Sequence, residues 1–209
     1  MSDYDYLLKI IVVGNSNVGK SSISSVLSNK GFATEYNTTI GVDFFAIRRK
    51  IEEIKWKLHI WDTAGQETFK SIIRTYYRQS AICFLVFDLT NRNTFNNLYS
   101  WKSEVLKENN YCFFVVLGNK ADIVIKRDVS NKEATEWATA NNMNYYEVSA
   151  KYNKFVSNNG IIDKDIITTI IKNFNNSENK YLNDGVKCNK KSRDCIEYIE
   201  NRDFCCIIS

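Results

Sequence analysis

The chain has 209 residues, of which 44% are hydrophobic and 25% charged, with a formal net charge of +4. These proportions fit one well-filled globular domain and exclude a fibrous or wholly unfolded chain. No arginine-rich run concentrates the small positive charge, so nucleic acid is not expected as a partner.

The amino end, "MSDYDYLLKIIVVG", opens on acids and passes directly into a short apolar run, which is not the pattern of a secretory signal. Ser2 stands where myristoylation requires glycine. Apolar runs of strand length follow at 7–14, 43–49, 56–62, 82–90, 112–120 and 145–150. Several are apolar nearly throughout, as strands buried on both faces of a mostly parallel sheet should be. Only a few polar residues separate 43–49 from 56–62, which predicts an antiparallel hairpin at one edge. Helical patterns lie between the strands at about 20–29, 67–79, 94–108 and 130–141. A last helix is expected to carry Ile162, Ile166, Ile167, Ile170, Ile171 and Phe174 as one apolar stripe. The alternation predicts a three-layer α/β domain: a six-stranded, mostly parallel sheet with one antiparallel edge strand and helices on both faces. The stretch 151–160 reads as a surface loop. No apolar run approaches the roughly 18 residues of a membrane span. Cys83 and Cys112 sit inside apolar runs as small hydrophobes. No cysteine spacing suits a metal, and His59, the only histidine, reads as a surface or edge residue of its strand.

"GNSNVGKS", Gly14 to Ser21, follows the first strand and opens the first helix, the setting in which G-x-x-x-x-G-K-[ST] holds a phosphate chain. Backbone N–H groups of Ser16, Asn17, Val18, Gly19, Lys20 and Ser21 can curl around a diphosphate at the positive end of a helix. Ser22, next on that helix, belongs to the same set. Lys20 brings charge to the β- and γ-phosphates, and the Ser21 hydroxyl is placed to ligate Mg²⁺.

Such a loop alone leaves base and reaction open; three further segments narrow them. "NKAD", Asn119 to Asp122 with Lys120 between, closes the fifth apolar run, on the side of a parallel sheet where ligands bind. A carboxylate there accepts both the N1–H and the exocyclic amine of guanine. Adenine would leave Asp122 unpaired, so the residue selects GTP over ATP. "SAK", Ser149, Ala150 and Lys151, brings a backbone N–H toward guanine O6. "WDTAGQE" ends the third strand with Asp62 positioned toward Mg²⁺ and Gly65 able to follow the γ-phosphate.

In this order and spacing the segments resemble the Ras superfamily of small GTPases and, within it, the Rab family. The resemblance spans about residues 6–174 and includes "IGVDF" (40–44), "KLHIW" (57–61), "QETFKSI" (66–72), "YYRQSA" (76–81) and "LVFDLT" (85–90). It implies a P-loop G domain over 1–174 that binds GTP and GDP with Mg²⁺, hydrolyses GTP slowly, and acts as a switch in membrane traffic. By the same resemblance, Thr39 ligates Mg²⁺ and senses the γ-phosphate, Gln66 orients the attacking water, Phe32 lies against the guanine and Tyr36 covers the phosphates. Ile40, Gly41, Val42, Asp43 and Phe44, with Trp61 and Tyr76, form the surface that effectors read. No arginine has an evident place near the γ-phosphate, so a GTPase-activating protein is expected to supply that charge, beside a guanine-nucleotide exchange factor. Ser16 and Asn17 replace the glycines of Ras itself, and Thr68 stands where Rabs usually carry arginine.

After Phe174 the periodic pattern stops. Residues 175–209 hold six lysines and arginines against six acids, a flexible, net-neutral tail ending in "CCIIS". A Cys-aliphatic-aliphatic-Ser end at Cys206 by itself indicates one farnesyl chain. The Rab resemblance instead implies geranylgeranyl groups on both Cys205 and Cys206, added by prenylation machinery and masked in the cytosol by a carrier. Two chains anchor firmly where one binds only marginally. The expected location is the cytoplasmic face of an intracellular membrane, in exchange with the cytosol. A Ras- or Rho-type signalling GTPase is disfavoured by "IGVDF" and "YYRQSA". A P-loop kinase gives no role to "NKAD", and a non-hydrolysing scaffold gives none to Gln66.

Overall fold

In the computed structural model, which describes residues 4–32, 39, 41–65, 70–157, 162–163, 165–177 and 186–188, the strand β1 (Tyr6–Val13) divides its side chains between two cores. Leu8, Ile10 and Val12 enter one, Ile11 and Val13 the other. That alternation is the period of two of an extended chain. The central strands β4 (Ile82–Asp88) and β5 (Phe113–Asn119) are buried along their whole length, which is why both read as unbroken apolar runs.

One core is roofed by α1 (Lys20–Leu27), through Ile23, Val26 and Leu27, and by α6 (Ile166–Asn176), through Ile166, Ile167, Ile170, Ile171 and Phe174. The other lies beneath α2 (Lys70–Tyr77), α3 (Arg92–Asn96), α4 (Leu98–Leu106) and α5 (Asn131–Ala140), which contribute Tyr77, Phe95, Leu98, Trp101, Val105, Ala134 and Ala138. The three expected layers are therefore present, with helices on both faces. The predicted helix at 94–108 is two: α3 begins earlier, where the Asn91 side chain accepts the Asn93 N–H, and the pair is divided at Asn97.

The sheet runs β2–β3–β1–β4–β5–β6–β7–β8, with β2 at Val42–Ile51, β3 at Ile54–Thr63, β6 at Asn144–Ser149, β7 at Lys154–Ser157 and β8 at Ile162–Asp163. β1, β3, β4, β5 and β6 are mutually parallel, and β2 pairs antiparallel with β3 as the predicted hairpin. Six strands is nonetheless too few. β7 and β8 extend the sheet antiparallel beyond β6, in the stretch expected to be loop. Ile162 belongs to β8 rather than to the helical stripe; Asp165, at φ −138°, marks the start of α6 after it. A ninth strand, β9 (Val186–Cys188), lies antiparallel against Tyr6–Leu8. It falls in the predicted flexible tail and occupies the part of β1 that β4, which pairs only from Ile10 onward, leaves open.

Candidate functional site

The loops following β1, β3, β5 and β6 all open at the carboxyl ends of parallel strands, so four separate sequence segments converge on one rim. The turn between β1 and α1 is held from several sides. Lys20, buried, donates from Nζ to the carbonyls of Gly14 (3.0 Å) and Asn15 (2.8 Å). Burial pushes its ammonium down from 10.5 to about 8, against the pull of Asp62. Gly19 adopts φ +92°, and a Cβ there would stand 2.2 Å from Asn119 Nδ2. Only glycine suits that position, because Asn119 closes on the turn and donates to the Val18 carbonyl at 2.8 Å. Asn17 sits at φ 64°, a conformation asparagine tolerates better than most residues. Ser16 and Asn17 are exposed, leaving the outer lip of the turn open, while Ser21 and Ser22 are half-buried on α1.

Beside this turn lie three oxygen-bearing side chains from three segments. Ser21 Oγ and Thr39 Oγ1 are 2.8 Å apart, in hydrogen-bond contact. Asp62, at the end of β3, is fully buried, and neither of its carboxylate oxygens has a hydrogen-bond partner among the described residues. Burial pushes its carboxyl up from 3.8 to about 6; the nearby Ser21 hydroxyl and Lys20 ammonium pull the other way. A buried, unpartnered carboxylate beside two hydroxyls is a donor set that fits a hard, oxygen-seeking cation. Gly65 lies directly against the same turn: a Cβ on it would stand 2.4 Å from Ser16 N and 2.6 Å from the Asn15 carbonyl oxygen.

On the opposite flank, β5 and β6 bring their terminal residues together. Asp122 Oδ1 accepts the Ser149 hydroxyl at 2.6 Å, and Asn119 Oδ1 accepts the Ala150 N–H at 3.3 Å. Lys120, at φ 65°, forms an ion pair of 2.7 Å with Asp88 at the end of β4. Asp88 is itself fixed by Thr90, whose N–H and hydroxyl both donate to Oδ1. The Ser149 hydroxyl thereby fixes the orientation of the Asp122 carboxylate at the rim. Phe32 is 41% exposed, and Lys151 is exposed with its ammonium 5.3 Å from the Tyr152 ring centroid.

A row of aromatic rings crosses the β2–β3 hairpin onto α2. Phe44 lies 4.8 Å from Trp61, and Trp61 5.1 Å from Tyr76. Phe44, 46% exposed, also meets His59 edge-on at 4.8 Å. His59 is half-buried, and burial lowers its pKa, with Lys57 adding to the effect. In the same hairpin Gly41 and Val42 are half-buried and Asp43 exposed.

A model of the Ras family matches residues 9–172, the span that contains all four rim segments. The chain is also 43% identical over 151 residues to the Ras-related protein Rab-2B of Dictyostelium discoideum, covering 72% of this chain and 75% of that one. It is 44% identical over 154 residues to the Ras-related protein Rab-1 of Theileria parva, covering 72% and 70%. This chain is a Rab-family small GTPase. Its reaction is hydrolysis of bound GTP to GDP and phosphate, and regulators and effectors in general belong to that family's working cycle. The subtype stays open, because the Ras-related protein Rab7 of Drosophila melanogaster is also 42% identical over 151 residues, covering 69% and 72%.

Within this Rab-family domain, the structure brings Ser16–Ser22, Thr39, Asp62, Gly65, Asn119–Asp122 and Ser149–Lys151 to one rim. Tyr36, Ile40, Gln66, Thr68, Cys205 and Cys206 lie outside the described residues. Two residues at the site went unread in the sequence. Asp88, a lone acid closing an otherwise apolar strand, was visible there as an anomaly. Trp101, whose indole reaches Asn15 from α4, carried no local signal.

Proposed function

We propose that this GTPase is a Mg²⁺-dependent, lipid-anchored switch in vesicle traffic, cycling between the cytosol and the cytoplasmic face of an intracellular membrane. One observation carries the reading: Asp43 and Phe44 of β2 stand opposite Asp62 and Trp61 of β3. The buried carboxylate at the phosphate turn and the aromatic row are thus neighbours in one hairpin, so a change of occupancy at the first has a short route to the second.

Ser21, Thr39 and Asp62 would hold the metal ion. When bound, it supplies positive charge against the β- and γ-phosphate oxygens. Lys20 and the N–H groups of 16–21 cradle the phosphates. Asp122 accepts the guanine N1–H and amine while Ser149 keeps it oriented. The Ala150 N–H, held only loosely at 3.3 Å by Asn119, donates to guanine O6. Phe32 packs on the base and Tyr36 over the phosphates. With GTP present, Thr39 and Gly65 are drawn to the γ-phosphate and Gln66 orients the attacking water. After hydrolysis both segments are released and the effector surface of Ile40, Gly41, Val42, Asp43, Phe44, Trp61 and Tyr76 is lost.

Residues 14–21, 62–65, 119–122 and 149–151 contain no arginine, which supports the need for a GTPase-activating protein to bring charge to the γ-phosphate. An exchange factor removes GDP. The G domain runs through the end of α6 at Asn176 and takes in β9, and the tail carries geranylgeranyl groups on Cys205 and Cys206 and is extracted by a lipid-masking carrier. No helix among the described residues is long and apolar enough to cross a membrane.

Fractionation of cells expressing tagged full-length protein tests the proposal. Gln66→Leu, unable to hydrolyse, should collect on membranes, and Ser21→Asn should shift to the cytosol. Cys205→Ser with Cys206→Ser should be cytosolic in either background. Membrane association that persists in the double serine variant would refute the anchor, and equal partition of Gln66→Leu and Ser21→Asn would refute the switch.

A further inference from the structure

We propose that Trp101 is a positioning residue for the phosphate turn: its indole N–H holds Asn15 in place and thereby slows release of bound guanine nucleotide. The proposal rests on the turn 14–21 being the nucleotide site.

Trp101 lies on α4, 86 residues from Asn15, and is 6% exposed. Its Nε1 donates to Asn15 Oδ1 at 3.0 Å. An indole N–H is a donor only, and a buried one needs an acceptor. Here the acceptor is a side chain of the turn itself. Asn15 is also the residue whose backbone carbonyl receives the Lys20 ammonium at 2.8 Å. The same carbonyl forms the wall against which Gly65 packs. One residue therefore meets α4, the phosphate-binding lysine and the strand end that follows Asp62. Freed from Trp101, Asn15 would gain rotamers and its carbonyl would lose a fixed position, loosening Lys20 with it.

The helix α4 is a firm base for this contact. Leu98, Trp101 and Val105 bury it against the sheet. Its outer side ties down α2 through Arg74–Glu104 at 3.1 Å, and the residues just beyond it do so through Arg78–Glu108 at 3.0 Å. α4 thus touches elements on two sides of the site: the turn through Trp101, and the helix that follows residues 66–69.

A double-mutant cycle on labelled-GDP release tests the proposal, with Asn15→Ala, Trp101→Phe and both together. Loss of one buried hydrogen bond predicts release faster by about threefold to tenfold in each single variant. The double variant should be no faster than the faster single one, because both remove the same bond. In ¹H–¹⁵N spectra, Trp101→Phe identifies which of the four indole N–H signals belongs to Trp101. That signal should move, and exchange faster with solvent, in Asn15→Ala. A residue serving only as core packing would leave it unmoved. Should Trp101→Phe fail to fold, Asn15→Asp decides: keeping an acceptor, it should release GDP more slowly than Asn15→Ala. Fold-changes that multiply in the double variant, single variants no faster than the parent, or equal release by Asn15→Ala and Asn15→Asp would overturn the assignment. A parent protein that holds no guanine nucleotide would overturn the site reading first, and is distinguished by the unmutated baseline.

Discussion

Acidification should weaken the proposed Mg²⁺ binding at the phosphate turn through Asp62, whose burial sets the size of the effect. Its carboxyl titrates at about 6 when metal-free, because burial disfavours the ionised form. Mg²⁺ requires the carboxylate, so proton and metal compete for it. At pH 7.5 nearly all of the group is ionised; at pH 5 only about one part in eleven is, so metal affinity should fall about tenfold. The stability sign is opposite. A carboxyl whose folded pKa lies above its ordinary value of 3.8 costs stability when ionised, above pH 6. That cost, on the order of 3 kcal/mol for a shift of about two units, is relieved as pH falls through 6 toward 4. Mild acid should therefore strengthen the metal-free fold through this group while weakening metal binding. The assay is Mg²⁺ titration of labelled-GDP release at pH 7.5 and 5, for the parent and for Asp62→Asn. Phosphate titration of the nucleotide is common to both proteins, so the difference between them reports Asp62. Equal pH dependence in the two proteins would refute the reasoning.

Gly19→Ala should destabilise the domain by about 2 kcal/mol or more, because its Cβ would stand 2.2 Å from Asn119 Nδ2 at a φ of +92°; a denaturant midpoint equal to that of the parent would count against the tie between the turn and β5. Phe44→Ala should change stability little, since the ring is 46% exposed. It should nonetheless cut the affinity of a GTP-dependent partner at least about tenfold if the aromatic row is a binding hot spot, measurable by titration calorimetry with any such partner.

Central strands were readable because β4 and β5 are buried on both faces, so each shows as an apolar run that needs no tertiary knowledge. β7 was not: "KFVS" holds only two apolar residues and becomes a strand by pairing with the edge that β6 offers. Ile162 lies four residues before Ile166, a helical spacing, and only its pairing with Val156 reveals β8. At the site the same contrast holds. Residues 14–21, 119–122 and 149–151 are contiguous, and their chemistry is written in their order. The bonds from Lys120 to Asp88 and from Trp101 to Asn15 join residues far apart in the chain, and only the strand order brings them together.

Base selection at Asp122 is the most direct measurement of the whole reading, because it separates a GTPase from every ATP-using protein with the same phosphate turn. Purified protein loaded with labelled GDP should release it to competing GTP, while ATP at a thousandfold higher concentration, a span of about 4 kcal/mol, should displace almost none. In Asp122→Asn the preference should move toward xanthosine triphosphate, whose C2 carbonyl accepts where guanine donates. Displacement by ATP as readily as by GTP in the unmutated protein would contradict the assignment of this rim as a guanine-nucleotide site.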